Sequence, residues 1–235
     1  MLIISCLTFP LTYFPERFHT LDVTRSQKVG HCSIFVFLHT AKLHNLTVWL
    51  GIFTIFAISM RKVILITGGE RSGKSAYAEK LALTLTERPV YLATARVWDD
   101  EFRERVRQHQ LRRGPEWTNI EEELKLSHHD VSGRVVLIDC VTLWCTNYFY
   151  RDQQRAEQDP AWVGQCLNDV KAEFDRFTAQ DATFIFVTNE IGMGGVSVNS
   201  LQRRFTDLQG WVNQYIASKA DEVTLMVSGI PVKIK

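Results

Sequence analysis

No CxxC pair occurs in this sequence, and its five cysteines (Cys6, Cys32, Cys140, Cys145 and Cys166) are odd in number. A disulfide framework or a cysteine zinc site is therefore excluded, and reduced thiols in a cytosolic protein are expected. Neither charge sign dominates. With 27 Lys and Arg against 26 Asp and Glu, the net charge is +1, which gives no support for a broad nucleic-acid surface. The apolar stretch from Leu46 to Ile58 falls short of the ~20 residues that a membrane-spanning helix needs. There is no internal repeat and no low-complexity tract. Four of the seven histidines (His19, His31, His39 and His44) fall in the first 60 residues, too scattered to read as a metal site. The 235 residues, 46% of them hydrophobic, are enough for one large globular domain.

The informative stretch is Gly68-Gly69-Glu70-Arg71-Ser72-Gly73-Lys74-Ser75, a match to G-x-x-x-x-G-K-[ST]. A β-branched run, Lys62 to Thr67, precedes it and reads as a buried strand. A helix-forming run, Ala76 to Leu83, follows. Strand, glycine loop and helix together make a phosphate cradle. Gly68 and Gly73 let backbone N–H groups converge on a phosphate, and the helix dipole points at it. Lys74 adds charge for the outer phosphates, and the Ser75 hydroxyl can ligate Mg²⁺.

Further strands are expected at Pro89–Thr94, Arg134–Asp139, Thr183–Thr188 and Asp221–Val227, with a turn at Gly229–Pro231 and a short strand at Val232–Ile234. Asp139 ends its apolar strand as the metal-side carboxylate of a phosphate-loop site should. A charged helix is expected over Asp99–Arg113. There His109 shares a face with Phe102 and Val106, close in sequence to Arg105, Arg112 and Arg113. By spacing alone, such a histidine is more often a packed core residue. Trp117 to Glu123 reads as a loop entering an acidic helix, Val141–Tyr150 as a helix and Arg151–Pro160 as an exposed connection. Ala161–Gln180 reads as an amphipathic helix with a stripe of Val163, Leu167, Val170, Phe174 and Phe177. Leu201, Phe205, Leu208, Val212, Tyr215 and Ile216 mark one more helix. The glycine-rich loop from Asn189 to Gly195 is a place for substrate contacts.

Taken together, these stretches resemble the bifunctional adenosylcobinamide kinase/adenosylcobinamide-phosphate guanylyltransferase family of cobalamin biosynthesis. The matching residues are Thr67 to Ser75, Tyr91 to Thr94, Asp100 to Arg105 and His109 to Arg113 with Trp117, Asp139 to Trp144 with Asn147, Val187 to Gly194, Asn213-Gln214, Ala220 to Val223, and Val227 to Pro231 with Lys233. They lie in family order after Met60. Residues 1–59 fall outside the resemblance and are expected to be a non-native or poorly ordered extension, with Met60 as the true start and 60–235 as the kinase/guanylyltransferase domain. The fold class expected is α/β, a single P-loop NTPase-type domain whose mainly parallel, RecA-like sheet is flanked by helices.

The resemblance implies two reactions. ATP or GTP phosphorylates adenosylcobinamide, and GMP from GTP is then transferred to that phosphate through a guanylylated histidine, which here is His109. It further implies nucleotide contacts from Gly68, Gly69, Glu70, Arg71, Ser72, Gly73, Lys74 and Ser75, from Thr94, Ala95 and Arg96, from Gln110, Leu111, Arg112 and Arg113, and from Glu121 and Asp139. Mg²⁺ is expected at Ser75 and Asp139, GTP and ATP as substrates, and adenosylcobinamide as partner, in a cytoplasmic homotrimer that needs neither nucleic acid nor membrane. Two other readings stand beside this one: a phosphate-loop kinase without guanylyl transfer, and a non-catalytic nucleotide switch. The absence of an Asn-Lys-x-Asp motif speaks against the switch.

Overall fold

A computed structural model describes residues 61–96 and 113–235. In chain order the elements are β1 (Lys62–Gly68), α1 (Lys74–Leu85), β2 (Val90–Ala93), β3 (Thr118–Glu121), β4 (Val135–Asp139), α2 (Val141–Phe149), α3 (Gln153–Gln158), α4 (Trp162–Phe177), β5 (Thr183–Val187), α5 (Ser200–Lys219), β6 (Glu222–Val227) and β7 (Ile230–Lys233). The sheet runs β3-β2-β4-β5-β1-β6-β7. Every neighbouring pair is parallel except β6 with β7.

Strands β1, β4 and β5 are apolar almost without a break because both faces of the sheet are covered. Alternate residues go to opposite sides. Ile64, Ile66, Leu137 and Ile185 pack with Ala78 and Ala82 of α1. Val63, Leu65, Val136, Phe184 and Phe186 pack with α2, α4 and α5 in the larger cluster. This is the expected α/β domain with a mainly parallel sheet between helices.

On α4, Val163, Val170, Phe174 and Phe177 face inward as expected, but Leu167 lies at the margin while Cys166 and Glu173 point in. Glu173 is completely buried. Its carboxylate accepts from Ser127 N at 2.8 Å and from Arg176 Nη2 at 2.6 Å. Burial pushes its pKa up, yet these bonds outweigh burial and hold the group below the usual range. Glu173→Ala would leave the Ser127 N–H unpaired and is expected to cost about 1–3 kcal/mol, read from the urea midpoint.

Three local expectations are corrected. Residues 118–121 form an edge strand, β3, and not the entry to a helix. Three of its four residues are exposed, so the sequence carries no buried period to read. Within 151–160 a short helix, α3, is capped by Asp152, which accepts from Arg155 N. Its one buried residue, Ala156, leaves no stripe. The final turn is Ser228-Gly229, with φ of 51° and 83°, and Pro231 belongs to β7. Two consecutive left-handed residues suit a tight hairpin, and a proline is tolerated in an edge strand. The expected helix over 99–113 lies outside the described residues apart from Arg113.

Candidate active site

The phosphate loop leaves β1 at Gly68, where φ is +151°. A Cβ there would stand 2.5 Å from the Met226 carbonyl oxygen and 2.8 Å from Ser72 Oγ. Gly68→Ala would therefore push the loop away from β6. A loss of about 1–3 kcal/mol in stability is expected, with weakened nucleotide binding, both measurable by calorimetry. The loop turns back through Ser72 N to Gly69 O at 3.3 Å and enters α1 at Gly73, with φ of 93°. No side chain caps α1, and its first turn has no acidic residue. Its leading N–H groups and its dipole are thus free for an anion.

Lys74 is 7% exposed. Its ammonium donates to Gly69 O at 2.5 Å and approaches Ser72 Oγ at 3.4 Å, folded back onto the loop. Burial lowers its pKa, against the opposing influence of Cys140, Asp139 and Glu70. Ser75 is half-buried in the first turn of α1, and Glu70 and Arg71 are exposed at the loop tip.

One strand, β5, separates β1 from β4. Gly68 and Asp139 therefore end strands whose axes lie roughly 10 Å apart, room for a phosphate and a metal ion. Asp139 Oδ2 accepts from the Tyr91 hydroxyl at 3.1 Å. Burial and the adjacent Asp139 push the Tyr91 phenol far above its usual pKa, so it remains a donor. Beyond Asp139, the Cys140 thiol is pushed up to about 12 by burial, which makes it a packing residue and not a nucleophile.

Thr94 is fully buried. Its hydroxyl donates to Cys140 O at 2.7 Å and accepts from Cys140 N at 2.9 Å. That side chain joins β2 to β4 and leaves Ala95 and Arg96, half-buried and exposed, at the sheet's carboxyl edge. Arg96 lies 4.0 Å from Glu123. Glu121 pairs with Ala93 in register and is exposed at the same edge. The guanidinium of Arg113 lies 3.5 Å above the centre of the Tyr91 ring. His109, Gln110, Leu111 and Arg112 lie outside the described residues.

Several contacts that sequence reasoning did not anticipate complete the frame. Asn147 Nδ2 donates to Thr94 O at 2.7 Å and to Glu123 O at 2.9 Å. An asparagine inside an apolar aromatic helix was the available signal. Thr142 Oγ1 accepts from Asn189 N at 2.9 Å, and Glu190 N donates to Gly68 O at 3.0 Å. The exits of β4, β5 and β1 are thereby tied together. Gly229 N donates to Ser72 O at 3.0 Å, and the Gly229 Cα sits 3.3 Å from where a Gly73 Cβ would be. The β6–β7 hairpin thus supports the phosphate loop from behind.

An uncapped helix behind a glycine loop, a buried lysine folded onto that loop and an aspartate ending a nearby strand define a phosphate-loop nucleotide-binding enzyme. Residues 64–234 match the model of the cobinamide kinase / cobinamide phosphate guanyltransferase family, and the chain belongs to that family. Its class is therefore that of an enzyme with two group transfers. The chain is 39% identical over 183 residues to the bifunctional adenosylcobalamin biosynthesis protein CobU of Escherichia coli, covering 74% of this chain and 99% of that protein. It is 37% identical over 176 residues to the corresponding CobP of Pseudomonas aeruginosa, covering 73% and 96%. To CobU of Salmonella typhimurium it is 35% identical over 181 residues, covering 74% and 99%.

Proposed function

We propose that residues 60–235 phosphorylate adenosylcobinamide and then convert the product to adenosylcobinamide-GDP. In the first step the substrate's aminopropanol hydroxyl attacks the γ-phosphorus of ATP or GTP. The hydroxyl gives up its proton, and the nucleoside diphosphate leaves. In the second, a ring nitrogen of His109 attacks the α-phosphorus of GTP, the α–β bridge breaks and pyrophosphate leaves. The phosphate oxygen of adenosylcobinamide phosphate then attacks the same phosphorus. The N–P bond breaks and the imidazole is restored.

The observation that carries this reading is Lys74, buried and parked on the Gly69 carbonyl at the open end of α1. A triphosphate offers that ammonium better acceptors, and the loop N–H groups hold the β-phosphate. Gly68 through Ser75 form the cradle. Thr94, Ala95, Arg96, Gln110, Leu111 and Glu121 are assigned to the remainder of the nucleotide. Arg112 and Arg113 are assigned to the charge that grows on the transferred phosphorus.

Among the described residues, no three His, Cys, Asp or Glu cluster to hold a metal on their own. A phosphate-borne Mg²⁺ needs only one or two protein groups. The Ser75 hydroxyl and the Asp139 oxygen not bound by Tyr91 suit that role. Mg²⁺ there would neutralise the developing charge on the phosphate oxygens. Tyr91 fixes the Asp139 carboxylate, and the loop N–H groups orient the phosphates. No described helix is long and apolar enough to cross a membrane. A cytoplasmic homotrimer acting on a corrinoid, without nucleic acid, completes the reading.

The test is incubation with α-labelled GTP and Mg²⁺. An acid-labile, base-stable label on the protein is expected, as for a histidine phosphoramidate. Absence of label would sink the transferase half. A pH dependence follows from Lys74. Burial lowers its pKa in the free protein, and a bound triphosphate raises it again. Below the free value the lysine is charged before and after binding, and affinity is flat. As pH rises through that value binding must take up a proton, so affinity falls. Titration calorimetry in two buffers of different ionisation enthalpy should show this proton uptake on the alkaline side.

A further inference from the structure

We propose that Glu190 is the base that takes the proton from the substrate hydroxyl in the phosphorylation step, an inference that rests on the kinase half of the reading above. Glu190 follows the end of β5, the strand that lies between β1 and β4. It therefore starts from the middle of the gap between the phosphate loop and Asp139. Its N–H donates to Gly68 O at 3.0 Å, which sets its backbone against the first residue of the cradle.

The chain just before it is fixed by buried groups. Thr188 N donates to Ile66 O at 3.0 Å. Asn189 N donates to Thr142 Oγ1 at 2.9 Å, and Asn189 O accepts from Asn213 Nδ2 at 3.1 Å. Asn213 is held in turn. Its Oδ1 accepts from Thr188 Oγ1 at 2.7 Å and from Gln209 Nε2 at 2.8 Å, and both of those residues are fully buried. So many polar groups buried at one strand exit fix where Glu190 begins, as a group that must meet a reacting atom requires.

The other carboxylates of this edge are engaged or distant. Asp139 is bound by Tyr91, and Glu123 lies 4.0 Å from Arg96. Glu70 is exposed and lies 4.0 Å from Arg71. Glu121 is exposed on β3, three strands away from β5. Glu190 is half-buried, and its carboxylate has no hydrogen-bond or ion-pair partner among the described residues. Its Oε1 stands 3.6 Å from where a Cβ on Gly192 would be, so the carboxylate lies against its own loop. Further along, that loop exposes Met193, Val196 and Val198. Apolar groups bared together suit a bulky organic acceptor, which must come to this side for its hydroxyl to reach the γ-phosphorus. In the step, the hydroxyl O–H bond breaks and its proton passes to Glu190. The oxygen bonds to the γ-phosphorus, the bond to the β–γ bridging oxygen breaks, and the nucleoside diphosphate leaves.

Glu190→Gln keeps the size and the backbone contacts and removes the basicity. Its kcat for phosphorylation of adenosylcobinamide by ATP is expected to fall about 10²- to 10⁴-fold. Affinity for Mg²⁺-ATP, read by titration calorimetry, should hardly move. Labelling by α-labelled GTP uses no substrate hydroxyl and should fall far less than phosphorylation. Formate added to Glu190→Ala should restore part of the phosphorylation rate, a response that a merely structural role would not give. Phosphorylation by Glu190→Gln at the parental rate would overturn the proposal. So would equal losses of phosphorylation and labelling. So would nucleotide affinity that weakens in step with the lost rate, which would put the carboxylate on the cradle or its metal. Wild-type protein that forms no adenosylcobinamide phosphate from ATP would overturn the kinase reading and this inference with it, a result visible before any substitution is made.

Discussion

With His109→Ala, adenosylcobinamide phosphate is expected to accumulate as the end product. The imidazole supplies the only covalent link in the proposed sequence, and alanine offers nothing to attack the α-phosphorus. Loss of a nucleophile typically costs about 10⁴-fold or more in the step it performs. Guanylylation of the protein and formation of adenosylcobinamide-GDP should therefore drop below detection. The kinase step needs the cradle, Lys74 and the Asp139 carboxylate, none of which this substitution touches. Product analysis by liquid chromatography with ATP and GTP both present would show the phosphate intermediate and no guanylylated product. Retained formation of adenosylcobinamide-GDP would refute the assignment. Loss of both products would point instead to a histidine needed for folding or for nucleotide binding.

Lys74→Ala should abolish both reactions together. The ammonium is the one buried charge of the cradle, already stripped of most of its water and held on the Gly69 carbonyl. Removing a preorganised charge of this kind costs about 10²–10³-fold in transition-state stabilisation. kcat/KM should fall by that order for phosphorylation and for guanylyl transfer alike. Stability should move the other way. Lys74 is held charged at a site where burial disfavours charge, so deleting it removes a penalty. A thermal midpoint equal to or above that of the parent is expected. A variant that loses activity because it unfolds would contradict the picture of Lys74 as a poised binding group.

Much of this was legible in the sequence, for identifiable reasons. Strands β1, β4 and β5 are buried on both faces, so their residues are apolar in unbroken runs that no surface element would show. On α5 the buried residues Phe205, Leu208, Val212 and Ile216 recur at helical spacing, which is why the helix could be drawn in advance. The phosphate cradle was visible because its groups lie in one continuous stretch. Tyr91 was not, because its role depends on register. It pairs with Leu137, which puts Asp139 two residues further along the neighbouring strand on the same face. Only the assembled sheet brings the phenol to the carboxylate. A further role of Thr94 was hidden for the same reason. As a sequence it is the polar end of a strand beside a nucleotide, yet its hydroxyl is spent on the backbone of Cys140. The edge strand β3 and the short helix α3 bury too little to leave a pattern.

The β6–β7 hairpin, whose Gly229 N–H holds the Ser72 carbonyl, has a consequence for synthesis. The ribosome makes the cradle early and its backing late. A nascent chain that displays Gly68 to Ser75 but still lacks Val227 to Ile230 has an unsupported cradle. Competence to hold GTP should therefore appear abruptly, when translation reaches that hairpin, and not gradually as the helices emerge.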